Sequence, residues 1–344
     1  MRRWILTANA TNLDGLVLED APLPEPGPAE VRVRVHAASL NYRDQIILTG
    51  NYGAQVAEDL VPLSDGAGEI DAVGSGVARW SVGDRVTSLY FKNWNDGPPV
   101  PGMGFGLGSP RDGEQGMLAE YVILAADRVA AAPKSLSFVE AATLPCAALT
   151  AWTALNGDRP YTRQIGKGDK VLVLGTGGVS LFALLLARAA GAEVIGTSSQ
   201  DEKRERLRAL GATDTVNYQT TPNWGEVVFG RTGGVKRVVN AAGGAALDQS
   251  ISAVGYGGEV AFMGLFTMAD APPNFLPLMS KGASIRGVAV GSAAAYVDLV
   301  EAVDATGVKP PIDRTFGFEE AKDAYRAATS PALFGKVVIE LVRS

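Results

Sequence analysis

One stretch limits the fold more than any other. Lys170–Leu174 (KVLVL) is a short apolar run rich in β-branched residues. It feeds into Gly175-Thr176-Gly177-Gly178-Val179-Ser180 and then into an apolar helical pattern over residues 179–190. A strand that turns through glycines into a helix brings backbone N–H groups and the positive helix end to one point, which suits a phosphate. Gly175 and Gly177 meet the first two positions of the fingerprint G-x-G-x-x-G. Ser180 holds the third, where a small residue lets helix and strand pack closely. The unit then repeats. Strand-like runs at residues 193–197, 213–217, 236–240 and 258–264 alternate with helical runs at 201–210, 224–231 and 245–254. Gly191 and Gly211 stop the first two helices. Residues 283–290 allow a last strand. This alternation predicts an α/β domain with a doubly wound parallel sheet covered on both faces. In that context the glycine turn predicts a bound dinucleotide.

The flanks read differently. Val31-Arg32-Val33-Arg34-Val35 alternates as a half-buried strand does, and residues 69–73 and 85–89 suggest further strands. Residues 92–116 are rich in Gly, Pro and Asn with little periodicity, and predict a long surface loop, functional or mobile. Residues 139–155 read as one buried helix. Beyond residue 290 the strand–helix rhythm is lost. Helices at 294–305 and 318–329, an extended Pro310-Pro311-Ile312 and a strand at 337–341 return the chain to its first part. A chain of 344 residues predicts about two domains. We place a β-rich domain at residues 1–126 and 290–344 and the nucleotide-binding domain at 127–289.

Composition removes several functions. The chain has one cysteine, Cys146, and one histidine, His36. A four-cysteine zinc site and an internal disulfide are impossible, and a Ser-His-Asp triad could use only His36. His36 reads as a surface or packing residue and Cys146 as a small inert hydrophobe. With 31 Lys and Arg against 37 Asp and Glu, the net charge is −6, which argues against nucleic acid. The longest apolar run, near residues 181–187, is too short to span a bilayer. Thr7, Asn9, Thr11, Asn12 and Asp14 break the start, so no signal peptide is expected, and we expect a cytoplasmic protein.

The end of the second strand, Thr197-Ser198-Ser199-Gln200, lacks the carboxylate that usually binds an NAD ribose. Asp201 suits a helix N-cap or first turn. Hydroxyls with Lys203 and Arg204 nearby favour the 2′-phosphate of NADP(H) over NAD(H). The opposing reading makes these two cations a solvated helix face.

Further motifs carry a resemblance. Gly66-Ala67-Gly68-Glu69, Val73-Gly74-Ser75-Gly76-Val77, Trp80 and Gly83-Asp84-Arg85-Val86 stand in fixed order. So do Ser39-Leu40-Asn41-Tyr42-Arg43-Asp44, Gly116-Met117-Leu118-Ala119-Glu120-Tyr121, Leu144-Pro145-Cys146 through Trp152, and Phe334-Gly335-Lys336-Val337-Val338. Over nearly its whole length the chain resembles the medium-chain dehydrogenase/reductase superfamily. The β-rich part is then a GroES-like catalytic domain beside a Rossmann domain.

In the zinc branch of that superfamily a cysteine lies at Asn41 and a histidine at Asp65, and a four-cysteine lobe corresponds to residues 92–116. The chain therefore resembles the zinc-free, quinone-oxidoreductase-like branch, with neither His36 nor Cys146 at a ligand position. The resemblance assigns Asn41, Tyr52 and Thr150 to the nicotinamide pocket, Asn41 and Tyr52 as the catalytic pair. It assigns Ser198, Ser199, Lys203 and Tyr218 to the 2′-phosphate, and Asn240 and Ala241 to the adenosine side. Gly264, Leu265, Phe266, Phe334 and Lys336 fall near the nicotinamide half. It implies a homodimer. Without a metal, a conjugated acceptor, a quinone or an α,β-unsaturated carbonyl, is the easier hydride acceptor because it spreads the charge it gains. Alternatives are an alcohol or aldehyde dehydrogenase of the same superfamily, or a catalytically silent nucleotide-binding scaffold. The substrate should be a small molecule, apolar or aromatic.

Overall fold

A computed structural model describes residues 1–264, 267–268 and 272–342. The chain forms two units, Met1–Leu149 with Gly291–Ser344, and Thr150–Val290. The first unit runs on to Leu149 rather than stopping at residue 126. A strand at Val129–Ala131 still pairs within its sheet, and the helix Phe138–Ala141 still packs on it.

In the first unit, strands β1 (Arg2–Leu6) and β2 (Leu16–Asp20) form an antiparallel pair. Strand β3 (Glu30–Ser39) is the spine of the main sheet. It pairs antiparallel with β4 (Asp65–Val73), which pairs with β5 (Arg85–Ser88). It also pairs with β6 (Tyr121–Ala125), while β7 (Val129–Ala131) pairs with β5. Val31, Val33 and Val35 are buried and Arg34 is exposed, as the alternation requires. His36, on the same strand, lies with its ring centroid 4.3 Å from that of Phe138, so its role is packing.

The expected helix at 139–155 is three pieces. Phe138–Ala141 is an α-turn with a Ser137/Glu140 capping box, Leu144–Ala148 is a π-turn, and Leu149–Asn156 is α-helical. Pro145 is the physical reason: it has no N–H to give an α-helical bond, and its ring crowds the preceding turn.

The second unit is one six-stranded parallel sheet. Its strands are β8 (Lys170–Leu174), β9 (Glu193–Ser198), β10 (Asp214–Asn217), β11 (Val235–Asn240), β12 (Val254–Phe262) and β13 (Ser284–Gly287). Their spatial order is β10-β9-β8-β11-β12-β13. The order reverses between β8 and β11, so the crevice for a ligand opens at their C-terminal ends. This is the Rossmann architecture expected from the strand–helix alternation.

A buried ion cluster ties this sheet to the chain before it. Glu259 of β12 is 3% exposed. It meets Arg237 at 3.3 Å, Arg286 at 3.0 Å, and Arg163. Arg286 also donates to the carbonyl of Thr153 at 3.0 Å, and Arg237 donates to that of Ala154. Burial pushes the Arg237 guanidinium down to about 10.

The tail returns as β14 (Ile312–Gly317) and β15 (Lys336–Glu340), which pair parallel to each other. β15 then pairs antiparallel with β3, Val338 opposite Ser39. Gly335 just before β15 has φ +106°, and a Cβ there would collide with the Pro311 carbonyl, so only glycine fits.

Candidate active site and nucleotide cradle

In the second unit, β8 ends at Leu174 and Gly175 turns the chain at φ +81°. Gly175 N–H donates to Thr197 Oγ1 at 3.1 Å, joining the turn to the end of β9. Gly177 is the N-cap of the helix Gly178–Ala189 and has no side chain with which to cap it. The first-turn N–H groups, from Gly178, Val179 and Ser180, therefore face outward without a side-chain acceptor. Space beside Gly175 and Gly177 is open, for a Cβ on either would meet nothing within 4 Å. Ser180 Oγ donates to the Leu174 carbonyl at 2.7 Å, which is how serine serves at the third fingerprint position. This cradle fits a pyrophosphate.

The residues expected at the adenosine end lie on and just after β9 and β10. Ser198 and Lys203 are buried, so Lys203 is not a solvated helix face. Tyr218 is 45% exposed and so is not a core aromatic. Its N–H donates to the Ser198 carbonyl at 3.3 Å, which places it beside that serine. The carboxylate of Asp201, in the first helical turn, is engaged by Arg204 at 2.8 Å and by Asn217 at 3.0 Å. Those partners hold it below the usual carboxylate range. The Ser199 carbonyl accepts from Asn217 Nδ2 at 3.2 Å.

Asn240 is fully buried and its side chain is spent within its own turn. Its Oδ1 accepts from Ala242 and Gly243, and its Nδ2 donates to the Gly243 carbonyl and Ser250. The Asn240 side chain therefore has no hydrogen-bonding group left to offer a ligand. Gly264 N–H closes the same turn on the Asn240 carbonyl at 3.1 Å. Thr150 is buried at the start of this unit. Leu265 and Phe266 lie outside the described residues.

The first unit brings Asn41, Asp65, Cys146 and Lys336 together. Asn41 caps the helix Tyr42–Leu48: its N–H donates to Asp44 Oδ2 at 2.7 Å. Lys336 Nζ donates to Asn41 Oδ1 and to the Leu40 carbonyl, both at 2.5 Å, and lies 3.9 Å from Asp65 Oδ2. Asp65 is fully buried. Its carboxylate accepts from Ser64 Oγ at 2.7 Å and from Cys146 N–H at 3.2 Å. Burial pushes Asp65 up, with Lys336 pulling it back. Asn41 Nδ2 faces Ser64 Oγ at 3.4 Å.

Cys146 thus borders the cluster, although its place in the chain predicts no metal-ligand position. Burial raises its thiol well above the usual range, so it stays a neutral thiol. Phe334 is buried just ahead of Lys336.

A zinc ion does not fit these residues. The two groups that the resemblance puts at zinc-ligand positions, Asn41 Oδ1 and Asp65 Oδ2, already face the Lys336 ammonium. Among the described residues no group of three or more His, Cys, Asp or Glu could hold a metal.

Tyr52 is half-buried near by. Its hydroxyl lies 3.4 Å from that of Tyr90 and 3.5 Å from the Phe105 carbonyl. Arg43, buried, sits over both tyrosine rings at 5.0 and 5.1 Å and donates to the Leu107 carbonyl at 2.7 Å. These contacts, with buried Trp94 and Leu107, anchor the long stretch 92–116. Sequence reasoning missed Arg43 as that anchor, since nothing in its spacing marks it.

Burial pushes Asp44 up to about 6, against 3.8 ordinarily, with Arg43 opposing. The protonated form is favoured in the fold, so this stabilisation is full below about pH 4 and is lost as pH rises through 6. Wild-type stability should therefore slope down from pH 4 to 6 through this group. Asp44→Asn, which does not titrate, should lack that component in denaturant titrations run at each pH. An unchanged slope would show that Asp44 titrates elsewhere.

Both units have known counterparts. The alcohol dehydrogenase GroES-like domain matches residues 27–134, and the zinc-binding dehydrogenase domain matches residues 178–305. The chain belongs to the medium-chain dehydrogenase/reductase superfamily, with the architecture of a nucleotide-dependent oxidoreductase. It is 41% identical to a zinc-type alcohol dehydrogenase-like protein of Schizosaccharomyces pombe, over 98% of this chain and 99% of that one. A solved NAD-dependent alcohol dehydrogenase is 32% identical, with TM-score 0.87, covering 99% of this chain and 100% of its own.

Mitochondrial NAD(P)H oxidoreductases of Danio rerio, Mus musculus and Homo sapiens are 28–29% identical over 92–99% of this chain. They overturn the cytoplasmic assignment. Composition and cysteine poverty report solubility and redox chemistry, not an address, and relatives of the same fold work in an organelle. Among the described residues no helix is long and apolar enough to cross a membrane.

Proposed function

We propose that this chain is an NADPH-dependent, zinc-independent reductase of conjugated carbonyl acceptors, a quinone or an α,β-unsaturated carbonyl. The observation that carries the reading is the donor set in the first unit. Where a Lewis acid would polarise the acceptor, the chain offers the Asn41 amide and the Tyr52 hydroxyl, which are hydrogen-bond donors. Buried Lys203, the hydroxyl of Ser198 and exposed Tyr218 favour the 2′-phosphate, and Asp201 is engaged by protein partners rather than offered to a ribose diol. Thr150, Ala241, Gly264 and Phe334 would border the nucleotide.

When bound, the nicotinamide supplies the hydride. The residues of the chain do the rest. The uncapped first turn after Gly177 holds the pyrophosphate. Asn41 Nδ2 donates to the acceptor oxygen, which gains an electron pair as the conjugated carbon gains hydride. Tyr52 stands as the proton source, with Tyr90 and the Phe105 carbonyl setting its hydroxyl. A metal-free site stabilises less charge than zinc would, so delocalised acceptors are favoured.

The test is NADPH oxidation by the purified chain over 1,4-benzoquinone, 2-cyclohexenone, crotonyl thioester and an aliphatic aldehyde, with NADH in parallel. Turnover confined to the first three, faster with NADPH, supports the reading. Turnover of primary alcohols with NAD alone, abolished by a chelator, would replace it with the alcohol dehydrogenase reading that the names of several relatives favour.

We also propose a homodimer formed at the open edge of β13. Strand β13 ends the sheet. The helix Leu276–Ser280 buries none of its residues, leaving Leu276 and Met279 68% and 75% exposed. Tyr256, also exposed, is tied to that helix by Gly257 N–H on the Lys281 carbonyl at 2.9 Å. An open strand edge beside an apolar face is a pairing surface. Leu276→Glu with Met279→Glu should turn a dimer into a monomer in sedimentation equilibrium. A wild-type monomer would end the proposal.

A further inference from the structure

Lys336 is 3% exposed, and its ammonium is committed to a half-buried amide. An ammonium has three donors and no acceptor. The oxygen of the Asn41 amide must therefore face it, and the amide NH2 must face away. One N–H points to Ser64 Oγ at 3.4 Å, which itself donates to Asp65. The NH2 also interacts with the Asp65 carboxylate, which it helps hold down, and at this half-buried position it is the group a ligand oxygen would meet. A free asparagine amide can flip and present either end. Here two donor bonds from one lysine and a buried carboxylate behind it leave a single orientation. The Leu40 carbonyl, held on the same ammonium, prevents the lysine from swinging out.

The backbone enforces this placement. Val338 lies opposite Ser39 in the β15–β3 pairing, and Leu40 N–H donates to the Val337 carbonyl at 3.0 Å. Lys336 therefore runs alongside Leu40 and Asn41 whatever its side chain does. Pro311 and Gly335 hold its start: Lys336 N–H donates to the Pro311 carbonyl at 2.8 Å.

We propose that Lys336 is the positioning residue of the acceptor site, a resident cation that stands between Asn41 and Asp65 where zinc relatives of this chain would place a metal. It fixes Asn41 as a hydrogen-bond donor to the acceptor oxygen and balances the Asp65 carboxylate. The lysine touches neither acceptor nor hydride. It acts through Asn41, by orientation and by the field it adds behind the amide. This rests on the reductase reading above.

Two arms test it. The first is kinetic, with Lys336→Met, Asn41→Ala and the double variant, each checked for folding by thermal melt. Lys336→Met should keep the wild-type thermal melt and, at saturating NADPH, lose about 100-fold in kcat, the scale of removing one oriented oxyanion donor. Asn41→Ala should lose as much, and the double variant no more than the worse single one, because both remove the same interaction. Lys336→Gln, of similar size and without charge, serves if the methionine variant does not fold, and should lose at least about tenfold in kcat at saturating NADPH. A kcat within twofold of wild type in a folded lysine variant, or additive losses in the double one, would overturn the proposal.

The second arm needs no turnover. Wild type is equilibrated with zinc chloride, gel-filtered and analysed for metal. Retention below about a tenth of an equivalent fits a site already holding its cation. One zinc per chain means that the lysine yields the place, and overturns the proposal. If wild type reduces no acceptor at all, the reductase reading fails while this arm still decides the lysine.

Discussion

Gly177→Asp should separate nucleotide binding from stability. Gly177 has φ −79° and ψ 174°, extended geometry open to any residue, and a Cβ there meets nothing within 4 Å. The aspartate would fold back as an N-cap onto the first-turn N–H groups of the helix Gly178–Ala189. Against glycine that gains a few tenths of a kcal/mol, with about 0.5 kcal/mol more from the helix dipole. The melting temperature should hold or rise slightly. NADPH binding should fall at least about 100-fold, because a carboxylate then occupies the phosphate position and like charges cost several kcal/mol, with 1.4 kcal/mol per tenfold. Fluorescence titration reads the affinity and calorimetry the melt. An affinity within threefold of wild type would place the pyrophosphate elsewhere.

Glu259→Ala should be the most destabilising single change in the second unit. It leaves Arg237 and Arg286, both largely buried, facing each other without their shared carboxylate. Stranding buried charges costs about 3–5 kcal/mol. For a unit of this size that is roughly a 10 °C fall in melting temperature. Glu259→Gln keeps the volume and should cost nearly as much, because charge, not packing, is what is lost. Glu259→Leu with Arg237→Met removes the pair and should recover part of the loss. A glutamine variant as stable as wild type would show the cluster to be a surface-type ion pair of little worth. Nothing in the sequence marked Glu259: in Gly-Gly-Glu-Val-Ala-Phe-Met it reads as a strand-end carboxylate.

Several elements were legible because their causes are local. The alternation of Val31, Val33 and Val35 reports a strand with one wet face. The strand–glycine–helix run at residues 170–190 reports a tight glycine turn between a strand and a helix, and the periods that follow report a parallel sheet. The three-part break at residues 138–156 was present in Pro145 yet outweighed by a continuous apolar pattern. The strand Ile312–Gly317 was hidden behind Pro310 and Pro311, and its partner β15 lies more than 20 residues on. The compartment was not legible at all, since an address is read by a receptor and leaves no mark on folding energetics.

By itself, then, the sequence determined the two-part architecture and the glycine turn between strand and helix, because spacing of 2 or 3.6 residues and family motifs act over short stretches. Tertiary structure alone decided what stands between Asn41 and Asp65. Lys336 reaches Asn41 across 295 positions of chain through the register of β15 on β3. Contacts of that span are set by strand pairing and burial, not by any local pattern. One cysteine and one histidine told which metal sites were impossible. The folded chain placed the Lys336 ammonium against Asn41 and near Asp65.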